Sequence, residues 1–88
     1  MDDKGLERTL KALANRRRIR IVRLLKKRKE MSVGSIAEAI KLSFRATSRH
    51  LATLSSANVL DKEQRSVQML YRLAHPLPPA AEKIVSLL

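Results

Sequence analysis

Two short amphipathic stretches flank a three-residue break near the middle of the chain, and no other feature restricts its fold as much. Val33, Ile36, Ala37 and Ile40 repeat at i, i+3, i+4 and i+7, the period of one helix face. Ser32 precedes them as an N-cap. Lys41-Leu42-Ser43 interrupts the pattern. Ser43 then caps a second stretch whose inward face is Thr47, Leu51 and Leu54. Short helices joined this closely form a helix-turn-helix. Leu42 in the break is the apolar plug that sets the angle between them.

The flanks extend the motif. Leu6, Leu10 and Leu13 share one face of a helix expected from about Gly5 to Ala14. Asn15 caps a further helix. There Ile19, Val22 and Leu25 share a face with Ile21 and Leu24 close by, while Arg16, Arg20, Arg23 and Lys27 line another. This helix runs out in Lys26-Lys27-Arg28-Lys29, cations that suit a helix C-terminus. Past the helix-turn-helix, Asn58 tolerates the left-handed conformation of a helix end. Val59 to Gln64 and Val67 to Leu73 read as strands around an Arg65-Ser66 turn. In the second, Val67, Met69, Tyr71 and Leu73 alternate with Gln68 and Arg72. A hairpin directly after a helix-turn-helix is a wing. The expected fold is mainly α with a small β-hairpin, a winged helix-turn-helix in the order α-α-α-α-β-β-α. It fills residues 1–88 as one domain.

Pro79 suits the first turn of a last helix. Leu77, Ala80, Ala81, Ile84, Val85, Leu87 and Leu88 make that helix apolar on most sides. Periodicity fits two placements, against a second copy or against the chain's own first helix. We favour the second copy. With 2% aromatic residues, the core must be built from Leu, Ile, Val and Ala. A chain this short buries only about 60–65% of its unfolded surface, so a partner chain would thicken a thin core. The expected homodimer interface comprises residues 1–14 and 76–88, through Leu6, Leu10, Leu77, Ala81, Ile84, Val85 and Leu88.

Nineteen Lys and Arg against eight Asp and Glu give a net charge of +11. Self-repulsion at that level points to an anionic partner, with nucleic acid first. Residues 1–31 hold twelve of the basic groups, whereas residues 74–88 hold one. The C-terminal end is therefore not the electrostatic face. The chain has no cysteine, which excludes disulfides, thiolate metal sites and thiol nucleophiles. No apolar run reaches the length of a bilayer span. Met1-Asp2-Asp3-Lys4 lacks the layout of a secretory signal. The expectation is a cytoplasmic protein, associated with the nucleoid of a prokaryote or with DNA in a virus-infected cell.

Several segments now fall into a recognisable order. They are Leu10-Lys11-Ala12-Leu13-Ala14, Arg18-Ile19-Arg20-Ile21-Val22 with Leu24-Leu25, and Met31-Ser32-Val33-Gly34-Ser35-Ile36-Ala37-Glu38-Ala39. Ser48-Arg49-His50-Leu51 with Leu54, and Leu70-Tyr71-Arg72-Leu73, complete the set. Spanning about three-quarters of the chain, they resemble the ArsR/SmtB-type family of winged helix-turn-helix repressors. The resemblance implies a symmetric dimer, built from the first and last helices, that binds palindromic operator DNA and often releases it when an effector binds. It also has departures. Ser32 and Gly34 stand where the family's metal sensors carry cysteines. The last helix has Glu82 as its only acid and no histidine. Lys41 and Asn58 replace usual glycines. Neither a metal nor a cofactor is expected.

In a helix-turn-helix the second helix enters the major groove with its N-terminal residues at base edges. With Thr47, Leu51 and Leu54 inward, Phe44, Arg45, Ser48, Arg49 and Ala52 point outward. Arg45 and Arg49 can each pair with a guanine, worth about 1–3 kcal/mol of discrimination, or hold phosphate alone. Phe44 contacts a thymine methyl or folds back over Leu42. Ser43 and Ser48 are candidate phosphate or base contacts, and Ser43 also serves as a plain N-cap. His50 reads as a packed or hydrogen-bonding structural residue. The wing offers Lys62, Gln64, Arg65, Ser66 and Gln68, with Arg65 at the tip reaching the minor groove. Arg16 and Arg17 can clamp the flanking backbone. Arg18 is expected in an internal ion pair.

An enzyme is disfavoured, because the chain has no Gly-rich phosphate loop and no paired acids near a histidine. Single-strand binders stack bases on aromatics, and only Phe44 and Tyr71 are available. Protein-docking winged helices lose charge on the second helix, yet no acid occurs from residue 39 to residue 60. The reading is a sequence-specific, double-stranded DNA-binding transcriptional regulator, a homodimeric repressor. The rival is a sequence-tolerant, chromatin-type protein that coats DNA.

Overall fold

The computed structural model describes all residues, 1–88. Helix α1 (Asp3–Leu13) and α2 (Arg16–Arg28) precede a two-residue strand β1 (Met31–Ser32). Then come α3 (Val33–Ile40), α4 (Phe44–Ser56), β2 (Leu60–Arg65), β3 (Gln68–Leu73) and α5 (Pro79–Ser86). Strand β1 was not expected. It pairs antiparallel with β3, so the wing is a three-stranded sheet in the order β1-β3-β2. Two residues carry too little alternation to show a period. The strand exists because Met31 and Ser32 lie opposite Tyr71 and Leu70 on an otherwise open sheet edge.

Side-chain caps set the starts of the first four helices, at Asn15, Ser32 and Ser43 as expected and also at Asp2, so that α1 begins at Asp3, before the expected Gly5. The Asp2 carboxylate accepts from the Gly5 amide at 2.8 Å. The Asn15 side chain accepts from the Arg17 and Arg18 amides at 3.0 and 3.1 Å. Ser32 and Ser43 accept from the Ser35 and Ala46 amides at 3.2 and 3.0 Å. Each bond satisfies one amide that the first helical turn leaves without a partner.

Helices α3 and α4 end alike. The amide of Leu42 bonds back to the Ala37 carbonyl at 3.0 Å and that of Lys41 to Glu38 at 3.3 Å. At the end of α4, Val59 bonds to Leu54 and Asn58 to Ser55, both at 3.0 Å. These are Schellman closures, and each needs one left-handed residue. Lys41, at φ 56°, and Asn58, at φ 62°, take that role without glycine.

The hairpin turn lies one residue further along the chain than expected, which moves the strand pairing by two. Arg65 pairs with Gln68, so the turn is Ser66-Val67 and Arg65 is the last residue of β2. Ser66 takes the positive φ of 58° that a tight hairpin turn requires. Val67 is therefore a turn residue, 93% exposed, rather than a strand residue.

The core runs between the helices and the inner side of the sheet. Ile21, Val22 and Leu25 of α2 meet Val33, Ile36 and Ile40 of α3 and Leu51 and Leu54 of α4. Val59, Leu60 and Tyr71 close it from the hairpin, and Ala12, Leu13, Ala81 and Val85 from α1 and α5. Helix α1 turns otherwise than its leucine spacing suggests. Thr9, Ala12 and Leu13 face inward, while Leu6 and Leu10 remain exposed. Helix α5 docks on its own chain through Ala81 and Val85, both buried. These two residues thus have almost no surface left for a partner chain, contrary to their expected place in an interface. Ile84, Leu77 and Leu88 are half-buried at the core's edge, and Leu87 is exposed.

Candidate nucleic-acid interface

Helix α4 is fixed from three sides. Ser43 caps its start, Thr47, Leu51 and Leu54 bury its inner face, and His50 on its flank is tied to α2. Arg18 Nη1 donates to His50 Nδ1 at 3.2 Å. A guanidinium has only donors, so Nδ1 must accept and the neutral ring carries its proton on Nε2. Burial, followed by the charges of Arg18 and Arg17, holds the His50 pKa below its ordinary 6.5. Arg18 also donates through Nε to the Ala12 carbonyl at 2.6 Å and through Nη2 to the Lys11 carbonyl at 3.2 Å. These carbonyls belong to the last turn of α1, where a cation suits the helix dipole. No carboxylate approaches Arg18. It joins α1, α2 and α4 by hydrogen bonds, rather than by the ion pair expected of it.

The outer face of α4 is left open. Phe44, Arg45 and Arg49 are exposed, and neither guanidinium has a partner within the chain. Ser48 is half-buried on the same flank. Phe44 stands 62% exposed at the mouth of a groove between α3 and the wing. Ser32, Gly34, Val67 and Met69 also line this groove. The structure thus brings the start of α3, the start of α4 and the wing tip onto one surface. Arg16 and Arg17 are exposed in the first turn of α2, and Lys62 is exposed on β2, all without side-chain partners.

Two of the wing residues expected to face DNA, Arg65 and Gln64, are not free. Arg65 was expected at the tip, reaching outward. Instead Nη1 contacts Glu30 at 3.1 Å and Nη2 contacts Glu63 at 3.2 Å. Arg72 completes the cluster, with Nη1 at 3.2 Å from both Glu30 and Glu63. Hydrogen bonds from Arg65 and then Arg72 hold the Glu63 pKa down, and those with Glu63 and Glu30 raise that of Arg65. The one-residue shift of the turn explains this, because it places Arg65 and Glu63 on one face of β2. Gln64 is also engaged, donating from Nε2 to the Ser66 carbonyl at 2.9 Å and so bracing the turn. Ser66 and Val67 themselves form the tip.

The positions where the resemblance would place metal-binding thiolates do not suit a metal. The Ser32 hydroxyl caps α3 and donates to Ser35 Oγ at 3.0 Å, and Gly34 has no side chain.

Residues 15–62, more than half of the chain, match the family model of the bacterial regulatory proteins of the arsR family. The chain belongs to the arsR family. The match runs from the cap of α2 through the whole helix-turn-helix into β2. The fold is similar to that of HlyU from Vibrio cholerae N16961, at 28% identity and a TM-score of 0.82 over 99% of this chain and 92% of that one. It is likewise similar to the homodimeric winged helix-turn-helix DNA-binding domain Mb0332 of Mycobacterium bovis. There identity is 27% and the TM-score 0.82, over 99% of this chain and 82% of that one. The transcriptional repressor PagR of Bacillus anthracis matches at 27% identity and a TM-score of 0.79, over 96% of this chain and 92% of that one. No curated relative matches the sequence. This arsR-family chain is a transcriptional regulator with a winged helix-turn-helix fold. None of its helices is long and apolar enough to cross a membrane.

Proposed function

We propose that the chain is a homodimeric repressor that reads a palindromic operator in double-stranded DNA. The observation that carries this is the outer face of α4, where Arg45 and Arg49 lie one turn apart, exposed and unpaired. No acid occurs on that helix or its flanks between residues 39 and 60. In this reading Arg45 and Arg49 take guanine edges, Ser48 takes a base or phosphate, and the α4 N-terminus at Ser43 faces phosphate. Phe44 and Val67 give the surface apolar points that suit thymine methyls and sugars. Lys62, Ser66, Arg16 and Arg17 hold backbone. Arg65 and Gln64 serve the wing's internal structure first.

Exposed Leu6, Leu10 and Leu87, with the half-buried rims of Leu77, Ile84 and Leu88, supply the dimer surface on α1 and α5. We assign the chain no catalytic step, and its place of action is the DNA of the nucleoid.

The test is selection of the purified protein against randomised duplex DNA at near-physiological salt. The expected product is an inverted repeat with half-sites about one helical turn apart. A pool that binds without enrichment, and whose affinity falls steeply with salt, would refute base reading in favour of DNA coating.

A further inference from the structure

Beyond Arg16, the basic stripe on α2 is not absorbed by this interface. Arg16, Arg20, Arg23 and Lys27 recur at i, i+4, i+7 and i+11 on the exposed side of the helix. None of the four makes a side-chain hydrogen bond or ion pair. The chain's ion pairs all run between Arg65 or Arg72 and Glu30 or Glu63. Like charges three and four residues apart destabilise a helix, so α2 carries an electrostatic cost that no ion pair within the chain relieves.

The stripe borders a groove. Arg20, Arg23 and Lys27 form its basic wall, and half-buried Leu24 with Ala39 and Ile40 of α3 forms an apolar strip beside them. Its volume is about 280 Å³ and no acidic side chain lines it. It shares no residue with the groove between α3 and the wing. Helix α3 presents its first residues to that groove and its last ones to this. The two surfaces therefore lie at opposite ends of α3.

We propose that the α2–α3 groove docks an acidic amphipathic segment of a partner protein. Carboxylates of the segment would meet Arg20, Arg23 and Lys27, and an apolar side chain would rest on Leu24 and Ala39. The apolar strip decides between anions. Phosphate oxygens would engage the basic wall alone, at the end of α3 away from the surface assigned to DNA, whereas Asp or Glu flanking Leu or Ile matches both the wall and the strip. The inference does not depend on how α4 reads DNA.

The test is a titration of the isotopically labelled full chain with a synthetic helix of Glu and Leu, followed by amide chemical shifts. A second peptide of equal charge replaces each Leu by Ser, and a short duplex of unrelated sequence is the third ligand. The expected result is shifts confined to residues around Arg20, Arg23, Leu24, Ala39 and Ile40. The Ser peptide should bind several-fold more weakly. The double variant Arg20→Glu, Arg23→Glu should lose about tenfold in peptide affinity while its affinity for selected DNA stays within about threefold. Three results would overturn the proposal: no shifts in the groove, equal binding of the two peptides, or groove shifts with the duplex accompanied by loss of DNA binding in the double variant. The last would assign the stripe to the DNA footprint. Failure of operator selection alone would touch only the role of α4.

Discussion

Replacing Arg18 by Ala should cost about 2 kcal/mol of folding stability, although the residue lies outside the hydrophobic core. Its guanidinium makes three bonds, to the Ala12 and Lys11 carbonyls and to His50 Nδ1. Hydrogen bonds from a charged donor are worth about 1.5–3 kcal/mol each when well shielded. Two of these are part-buried and the third is exposed, so water recovers much of the loss. The three share one donor group and do not add. Removing one of nineteen cations also relieves some repulsion. About 2 kcal/mol remains, equivalent to a fall in Tm of roughly 8–16 °C for a domain of this size. Arg18→Lys should recover about half, since an ammonium lacks the planar fork that reaches two carbonyls and an imidazole together. Urea unfolding at fixed protein concentration measures both, with midpoint and slope read separately. A loss below about 0.5 kcal/mol for Ala, or full recovery by Lys, would show that Arg18 does not hold α1 and α4 together.

Stability should also respond to pH through His50. Its folded pKa lies below 6.5, so the unfolded chain binds the proton more readily. Stability is then fully present above about 6.5 and is lost as pH falls through the folded value. His50→Gln should flatten that part of the curve, and an unchanged slope between pH 7 and 5 would count against a lowered His50 pKa in the folded chain. Lys41→Gly should stabilise by about 0.5–1 kcal/mol, because glycine removes the Cβ strain at φ 56° at some cost in unfolded-chain entropy. A lower urea midpoint would contradict this. Leu10→Glu should give a folded monomer, since Leu10 is 46% exposed and absent from the core. Sedimentation equilibrium decides it, and a persistent dimer would remove α1 from the interface. Ile84→Glu is a less clean probe, because Ile84 packs partly on the chain's own core.

The parts of the fold that were legible are those where one residue's chemistry suffices. Asn15, Ser32 and Ser43 are caps because their side chains reach an amide two or three residues on, and no tertiary contact is needed to see it. Asn58 takes the positive φ that its short polar side chain tolerates, whereas Lys41 takes it because the closure after α3 demands it, which only the resemblance, through a usual glycine, pointed to. The inward faces of α3 and α4 follow from spacing alone, since each helix carries a single apolar stripe and that stripe is the part that is buried. Helix α1 behaves differently because its buried edge carries Thr9 and Ala12 as well as a leucine, so the leucines alone do not mark it. Its three leucines lie within one broad arc, and contact with α2 and α5 selected the edge carrying Thr9, Ala12 and Leu13. Spacing defines an apolar arc, but the rotation within it is set by what the arc meets.

The same limit explains the site. Arg45 and Arg49 could be placed outward because α4's inner face was unambiguous. Arg65 was misplaced at the tip because the turn lacks the Asn-Gly pair that would have fixed its position, and a turn one residue further on makes Arg65 the last residue of β2, on the face that carries Glu63. Its partners confirm how non-local the outcome is. Glu30 lies 35 residues away, at the junction of α2 and β1, and β1 itself forms only because β3 offers an edge. Once β1 is in place, Glu30 arrives beside Arg65 and Arg72, and two carboxylates neutralise the two guanidinium groups there. The wing's charge is thereby cancelled within the chain, while that of α4 and α2 is not. Of a net charge of +11, what remains available to partners is concentrated on helices, and the wing can contribute chiefly through shape, through Lys62 and through the Ser66-Val67 tip.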